Sequence, residues 1–269
     1  MSAAGTRRSF AYAQARVQAR YGALPLEADW RRISGIRGLG AWLEEARGGP
    51  LRDWVKGFSA ASDVQDIEAG VRKLLLGEVD AVARFVPSPW RGAIHWTRWL
   101  PLLGSLEHLH AGAEVPGWAR RIPCVARLLD DDGRPQPRSI QQAGLAPLLR
   151  TESARPMDAL WCEGWRACWP RVSAAVRSDL DLLAGRIGAH LIAFRRASPA
   201  RAWTLRQELR ERLRSDFHRL GLSPAAPFVY LALVGLDCER LRRALLDRAL
   251  FPEMAAASPD SASARAAAA

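Results

Sequence analysis

The residues of this 269-residue chain that could do chemistry are five histidines, four cysteines, one run of aspartates and a short glycine cluster. His108 and His110, with Glu107 and Glu114 nearby, form the local His/acid cluster. On a helix, positions i and i+2 face different ways, so this pair could not chelate one metal there, and no further ligands follow at a recognised spacing. The pair reads as structural or solvated. Cys124, Cys162, Cys168 and Cys238 contain no CxxC and are too few for a disulfide scaffold, which fits a reducing, cytoplasmic setting. Cys162 and Cys168, beside Trp161 and Trp169, read as small buried hydrophobes. Asp130-Asp131-Asp132-Gly133, followed by Pro135 and Pro137, reads as a solvated turn and not as an acid/base pair. Gly35-x-x-Gly38-x-Gly40 lacks the GxGxxG order, and the chain holds no GxSxG, HExxH or Walker-type Gly-Lys-Ser/Thr. No catalytic residue, cofactor site or metal site follows from these motifs, and the expectation is a protein without enzymatic activity of its own.

Charge points to partners. Lys and Arg total 39 against 28 Asp and Glu, a formal net charge of +11, and only Lys56 and Lys73 are lysines. Arg is the generic surface cation here, and the balance favours acidic partners. Eleven tryptophans accompany three tyrosines. Trp161, Trp165 and Trp169 follow one helical face, and Trp96 and Trp99 are i, i+3 neighbours. Exposed indoles among Arg98, Arg166 and Arg171 would suit single-stranded nucleic acid; buried ones would be core or interface, which is the usual use of an aromatic stripe at helical spacing. A basic helical nucleic-acid-binding protein is therefore the alternative function, and a plain helical adaptor is a third. Leu205 to Arg219 interleaves its arginines with Glu208, Glu211 and Asp216, a solvated face supported by the Glu208–Arg212 pair. Arg240, Arg242, Arg243 and Arg248 have fewer acidic neighbours and form the better candidate for a functional basic patch.

Helical periodicity must position all of these groups. Helices are expected over Phe10 to Tyr21, Glu27 to Arg47 (weakened by Gly35, Gly38 and Gly40), Trp90 to Leu103 and Leu106 to His110. Ser62-x-x-Gln65 is a capping-box pattern opening the clearest helix, which Pro87 and Pro89 stop. Apolar stripes predict further helices over Ser173 to Arg196 and Arg201 to Leu220, with Gly221 as the C′ residue of the second. Ser223-Pro224 reads as an N-cap and first residue for a last helix running to about Leu250. Arg127 to Pro156 reads as a long connection with at most a short helix over Ser139 to Leu149. No strand pair and no targeting segment is recognised, and the longest apolar run, Ala225 to Leu236, falls short of the roughly 20 residues a spanning helix needs. The fold class is all-α: one all-helical domain over residues 1–252, a Pro/Gly/Asp-rich connection at 127–156, and a disordered Ala/Ser-rich tail at 253–269.

Three segments together resemble one family. Phe10-Ala-Tyr12-Ala-Gln-Ala-Arg16-Val17-Gln-Ala-Arg20 is similar to the opening helix of the C/d family of central-stalk subunits in V-type and A-type rotary ATPases. Asp66-Ile67-Glu68-Ala-Gly-Val71-Arg72 resembles that family's second landmark, an Ile-Glu followed by an aliphatic-Arg pair. Pro227-Phe-Val-Tyr230-Leu231 to Asp237-Cys-Glu-Arg-Leu241-Arg242 resembles its closing signature, although Gly235 stands where the first acidic residue belongs. The landmarks keep the family's order in what looks like a divergent, shortened member. The resemblance implies a multi-helix, funnel-like protein of pseudo-repeated lobes, with no catalysis and no cofactor. Proteins of this family join the central shaft to the membrane rotor ring, in the cytoplasm and peripheral to the inner (plasma) membrane, and couple ATP turnover to proton or sodium transport. The resemblance implies no small-molecule substrate and no nucleic acid. The partner-interface candidates it marks are Tyr12, Arg16, Glu68, Arg72, Tyr230, Asp237 and Arg242. Two roles are open to them: Tyr12 and Tyr230 as packing residues with Glu68–Arg72 as a simple i, i+4 pair, or direct contact with a partner.

Overall fold

The computed structural model describes residues 3–149 and 155–251. In chain order the helices are α1 (Ala3–Gly22), α2 (Glu27–Ser34), α3 (Leu39–Arg47), α4 (Arg52–Val55), α5 (Val64–Phe85) and α6 (Ser88–Trp96). A 3-10 turn, Thr97–Leu102, leads into α7 (Leu103–His110), and the short α8 (Gly117–Arg120), α9 (Pro123–Ala126) and α10 (Pro137–Gln142) follow. The chain then forms α11 (Met157–Ala167), α12 (Ala174–Arg195), α13 (Pro199–Arg219) and α14 (Ala226–Leu250). The fold is all-α; among the described residues the only β pairing is an isolated antiparallel bridge between Leu129 and Pro135. No described helix is long and apolar enough to cross a membrane. The tail at 253–269 lies outside the described residues, as do 150–154 of the central connection.

Two compact units divide the chain, one made of residues 1–22 and 75–236, the other of 23–74 and 237–269. One boundary follows the end of α1; the other two fall inside α5 and α14, where the helical pattern marks no linker.

The larger unit is built on aromatic side chains. Phe10 of α1 meets Trp90 of α6 edge-on at 5.5 Å, and Trp90 lies 6.1 Å from Phe228 of α14. Phe228 in turn contacts Trp165 of α11 at 5.1 Å, and Trp165 stacks on Trp161 at 5.7 Å and meets Trp169 at 5.2 Å. Four elements distant in sequence thus share one aromatic chain, whose pairs add about 0.5–1.5 kcal/mol each beyond their buried area. Trp96 joins through its polar edge, its Nε1 donating to the Trp161 carbonyl at 3.0 Å. The ring can approach that closely because position 164 is glycine: a Cβ there would lie 2.1 Å from Trp96 Cζ2.

The smaller unit packs α2, α3 and α4 with the first part of α5 and the last part of α14. Trp30, Ile33, Trp42, Leu43, Ile67, Leu241 and Leu245 are buried within it. Arg240 lies over the Trp30 ring at 4.9 Å and is held by both Glu27 oxygens at 2.6 and 3.0 Å. Arg248 lies over Trp42 at 5.1 Å and donates to the carbonyls of Ser34 and Ile36. It thereby satisfies acceptors left open where α2 ends.

Several boundaries differ from the sequence expectation. The helix expected over Glu27 to Arg47 is two helices, because Gly35 to Gly38 breaks the ladder and Gly38 becomes the N-cap of α3. The cap of α5 sits one residue later than the Ser62–Gln65 pattern. Asp63 Oδ1 accepts from the Asp66 amide at 2.7 Å and Asp66 Oδ2 accepts from the Asp63 amide at 3.3 Å. The carboxylate outcompetes the neighbouring hydroxyl, and Ser62 Oγ accepts from the Ser59 amide instead. α13 begins at Pro199 behind the cap Ser198; Gly221 does follow its C-cap Leu220, as expected, though without a positive φ. Ser223 closes a turn before α14, which starts three residues later, at Ala226. The expected helix within Ser139 to Leu149 is α10, shifted towards the N-terminus and ended by Gly144 at φ +71°. There the Leu145 amide returns to the Ile140 carbonyl at 3.0 Å, a Schellman closure.

Gly164→Ala should force Trp96 out of its seat and destabilise the protein by roughly 1–3 kcal/mol, the usual cost of overpacking. A chemical-denaturation midpoint lowered at unchanged slope is the expected reading, and an unchanged midpoint would contradict the packing described.

Candidate functional site

The landmark residues fall into two charged clusters, one in each unit. In the smaller unit Glu68 and Arg72 sit one turn apart on α5, and Arg242 arrives from α14. Arg242 Nε lies 2.9 and 2.8 Å from the two Glu68 oxygens, and its Nη2 lies 2.5 Å from Oε1. Arg72 Nη1 bonds the same carboxylate at Oε2 and also reaches the Glu68 carbonyl at 3.3 Å. Glu68 is 6% exposed. Burial alone would push its carboxyl up, but the hydrogen bonds from Arg242 and the charges of Arg72 and Arg242 outweigh that and hold it below the ordinary range. Burial lowers Arg72, whereas hydrogen bonding to Glu68 raises Arg242. Asp237, one turn and a half before Arg242 on α14, is fully buried.

In the larger unit Arg20 Nη1 bonds both oxygens of Glu78, at 2.6 and 2.8 Å, and the Tyr230 hydroxyl donates to Glu78 Oε2 at 2.9 Å. Tyr230 is 2% exposed, and burial followed by the Glu78 charge lifts its phenol far above the usual range. Above this cluster the face of α1 opens to solvent. Arg16 and Arg20 lie 5.0 and 5.4 Å from the Phe85 centroid, and Tyr12 meets the same ring edge-on at 6.3 Å. Tyr12 is 63% exposed and Arg16 is exposed beside it.

The seven sequence candidates therefore separate by environment. Glu68, Arg72, Tyr230 and Asp237 face inwards, and Arg242, half-buried, spends its guanidinium on Glu68, so these five are engaged within the fold. The packing reading applies to Tyr230, and Glu68–Arg72 is more than a simple i, i+4 pair because Arg242 shares it. Tyr12 and Arg16 remain as outward groups. Sequence spacing missed Glu78, Arg20 and Phe85, since nothing local relates Glu78 to a tyrosine 152 positions away.

Two further expectations are corrected. Trp96, Trp99, Trp161, Trp165 and Trp169 are all 7% exposed or less, so these indoles offer no stacking platform for bases. The arginines of the last helix are not an open basic patch: Arg240 pairs with Glu27, Arg242 with Glu68 and Arg243 with Asp247, while Arg248 is spent on carbonyls. On α13, Glu208 pairs with Arg201 from the preceding turns. Asp130 is a turn residue, its Oδ1 accepting from the amides of Asp132 and Arg134 at 3.0 and 2.8 Å around Gly133 at φ +77°. Among the described residues no group of three or more His, Cys, Asp or Glu side chains is placed to hold a metal ion.

No protein-family model matches the chain, and searches of curated proteins and of solved structures find no match either.

Glu68→Gln should be strongly destabilising, by about 3–5 kcal/mol if two guanidiniums lose their counter-charge. Because the folded-state pKa of Glu68 is depressed, its contribution is complete above the unfolded value of about 4.5 and fades as pH falls through the folded value. The gap in melting temperature between the native chain and Glu68→Gln should accordingly be wide at pH 7 and narrow below pH 4.5; a constant gap would exclude the ionised pair. Tyr230→Phe removes one hydrogen bond to a carboxylate that keeps Arg20, and thermal unfolding should report a loss of roughly 1.5–3 kcal/mol.

Proposed function

We propose that this chain is a non-catalytic central-stalk component of a V/A-type rotary ATPase, a shortened relative of the C/d family. It would seat the central shaft on the membrane rotor ring and pass torque between ATP turnover and proton or sodium movement. In this reading it is a funnel of helical lobes, held in the cytoplasm at the membrane periphery by the assembled complex. The observation that supports the reading is that the closing landmark segment joins a charged cluster with each of the other two. The opening segment supplies Arg20 and the closing one Tyr230, both on Glu78; the second supplies Glu68 and Arg72, which the closing one engages through Arg242. The Arg242–Glu68 bond, between residues 174 positions apart, is the kind of long-range tie a coupling protein needs.

A coupling protein works through shape and interface area, so it needs stiff helices and a partner-facing surface and no reactive group. α5 and α14 supply helices of 22 and 25 residues. The exposed Tyr12 and Arg16 are residue types that dominate binding hot spots.

Affinity purification of the tagged chain from native membranes should recover the rotor-ring and shaft proteins. Tyr12→Ala with Arg16→Glu should reduce that recovery while costing no more than about 2 kcal/mol, the loss of one aromatic and one cation–π contact on Phe85. A native chain that purifies as a monomer free of other ATPase components would overturn the proposal.

A further inference from the structure

With α6, the 3-10 turn and α11, the central connection borders a cavity of about 870 Å³ inside the larger unit. That is within the roughly 300–1,000 Å³ of small-molecule sites. Its floor is apolar, formed by Trp96, Trp99, Leu128 and Leu129. Trp96 is fixed there by its hydrogen bond to the Trp161 carbonyl. Gly144 and Gly164 also line the cavity, and glycine at both positions keeps side chains off the Trp96 ring.

The polar lining is one-sided in charge. Arg98, Arg127 and His95 line the cavity with Gln136, Ser139 and Gln142, and no Asp or Glu lines it. Asp80 lies outside the lining, 2.7 Å from Arg98 Nη2 and 3.5 Å from His95 Nδ1. Burial, and then the charge of Arg98, lowers the His95 pKa and favours the neutral ring, which can accept from Arg98 Nη2 at 2.7 Å. Arg98 Nε is buried without a hydrogen-bond partner among the described residues. Arg127 spends its Nε on the Pro123 carbonyl at 3.1 Å and is otherwise exposed. Two guanidiniums thus stand beside an indole-lined floor with no carboxylate in the lining itself.

We propose that this cavity binds an amphipathic organic anion, a carboxylate or phosphate head on an apolar body, a role independent of coupling. The head sits at Arg127 beside Arg98, where it neutralises the Arg127 guanidinium and gains charge-assisted hydrogen bonds. The body lies against Trp96, Trp99 and Leu128, and the size of the space suits a medium-length chain or a small ring system.

Cysteine reactivity gives a readout inside the cavity. Cys124 and Cys168 line it, whereas Cys162 and Cys238 are buried in packing. Burial pushes the thiols of Cys124 and Cys168 up, so labelling with N-ethylmaleimide is run at mildly alkaline pH and mapped by mass spectrometry. The full chain is labelled alone and with submicellar decanoate, decyl phosphate, decanol or decyltrimethylammonium. Decanoate or decyl phosphate should slow labelling of Cys124 and Cys168 by about tenfold at ten times its dissociation constant, and should raise the melting temperature. Whichever of the two protects identifies the head group. Arg127→Glu, at an exposed position, should weaken that ligand by about tenfold or more without lowering the melting temperature. Ala167→Trp, exposed at the mouth, should abolish protection by occupying the space. Absence of protection by both anions, equal protection by decanol or the ammonium, or faster labelling of Cys162 and Cys238 with a falling melting temperature would each overturn the proposal.

Discussion

Guanidinium groups outnumber their possible counter-charges in this protein, and folding has to bury some of them. Arginine cannot shed its charge, and a charge out of water without partners costs several kcal/mol. With 39 cationic side chains against 28 acidic ones, the carboxylate is the scarce component. The structure answers by sharing. Glu68 serves Arg72 and Arg242 at once, and Glu78 serves Arg20 while accepting from Tyr230. Where no carboxylate is at hand, a ring face and carbonyls substitute, as Trp42 and the end of α2 do for Arg248. Part of the positive charge is thus engaged within the fold, residue by residue. It is a poor guide to what the protein binds.

That solution ties sequence-distant segments together with directional bonds. A buried ion pair adds little net stability over a well-packed apolar pair, but it tolerates few alternative geometries. Arg242 donating through both Nε and Nη2 fixes the rotation of α14 against α5 within the smaller unit. Tyr230 and Arg20 on Glu78 fix α14 and α1 against α5 within the larger one. For the proposed coupling role, such fixing matters more than stability, because a part that transmits torque loses work to any freedom in its helices.

The sequence made the long helices legible and left the charge network mostly hidden, for a physical reason. The apolar stripes of α5, α12, α13 and α14 repeat at local spacing, and Glu68–Arg72 is a local i, i+4 pair, so both could be read directly. Helix ends are decided by competition among neighbouring caps, and Asp63 beats Ser62 by one residue. The glycines at 35 and 38 act together as a break where each alone reads as a weakness. Arg242–Glu68 and Tyr230–Glu78 join residues 174 and 152 positions apart, and no periodicity records such a pairing. The same holds for Trp96, whose seat exists only because α11 brings Gly164 beneath it.

Burial also decides how the aromatic residues should be read. A helical row of tryptophans with adjacent arginines has the composition of a nucleic-acid platform, yet composition does not specify which side of the helix meets water. Trp161 and Trp165 each retain 1% exposure, and Trp165 is enclosed by Trp161, Trp169 and Phe228. Tyr12 keeps the opposite arrangement, 63% exposed and in T-shaped contact with Phe85, the ring that also lies under Arg16. An exposed aromatic ring held in place by a neighbour loses little further freedom on binding, which lowers the entropic cost of an interface. In the proposed coupling role, the Tyr12–Arg16 pair on α1 would be the partner-facing surface. The larger aromatic inventory sets the shape that presents them.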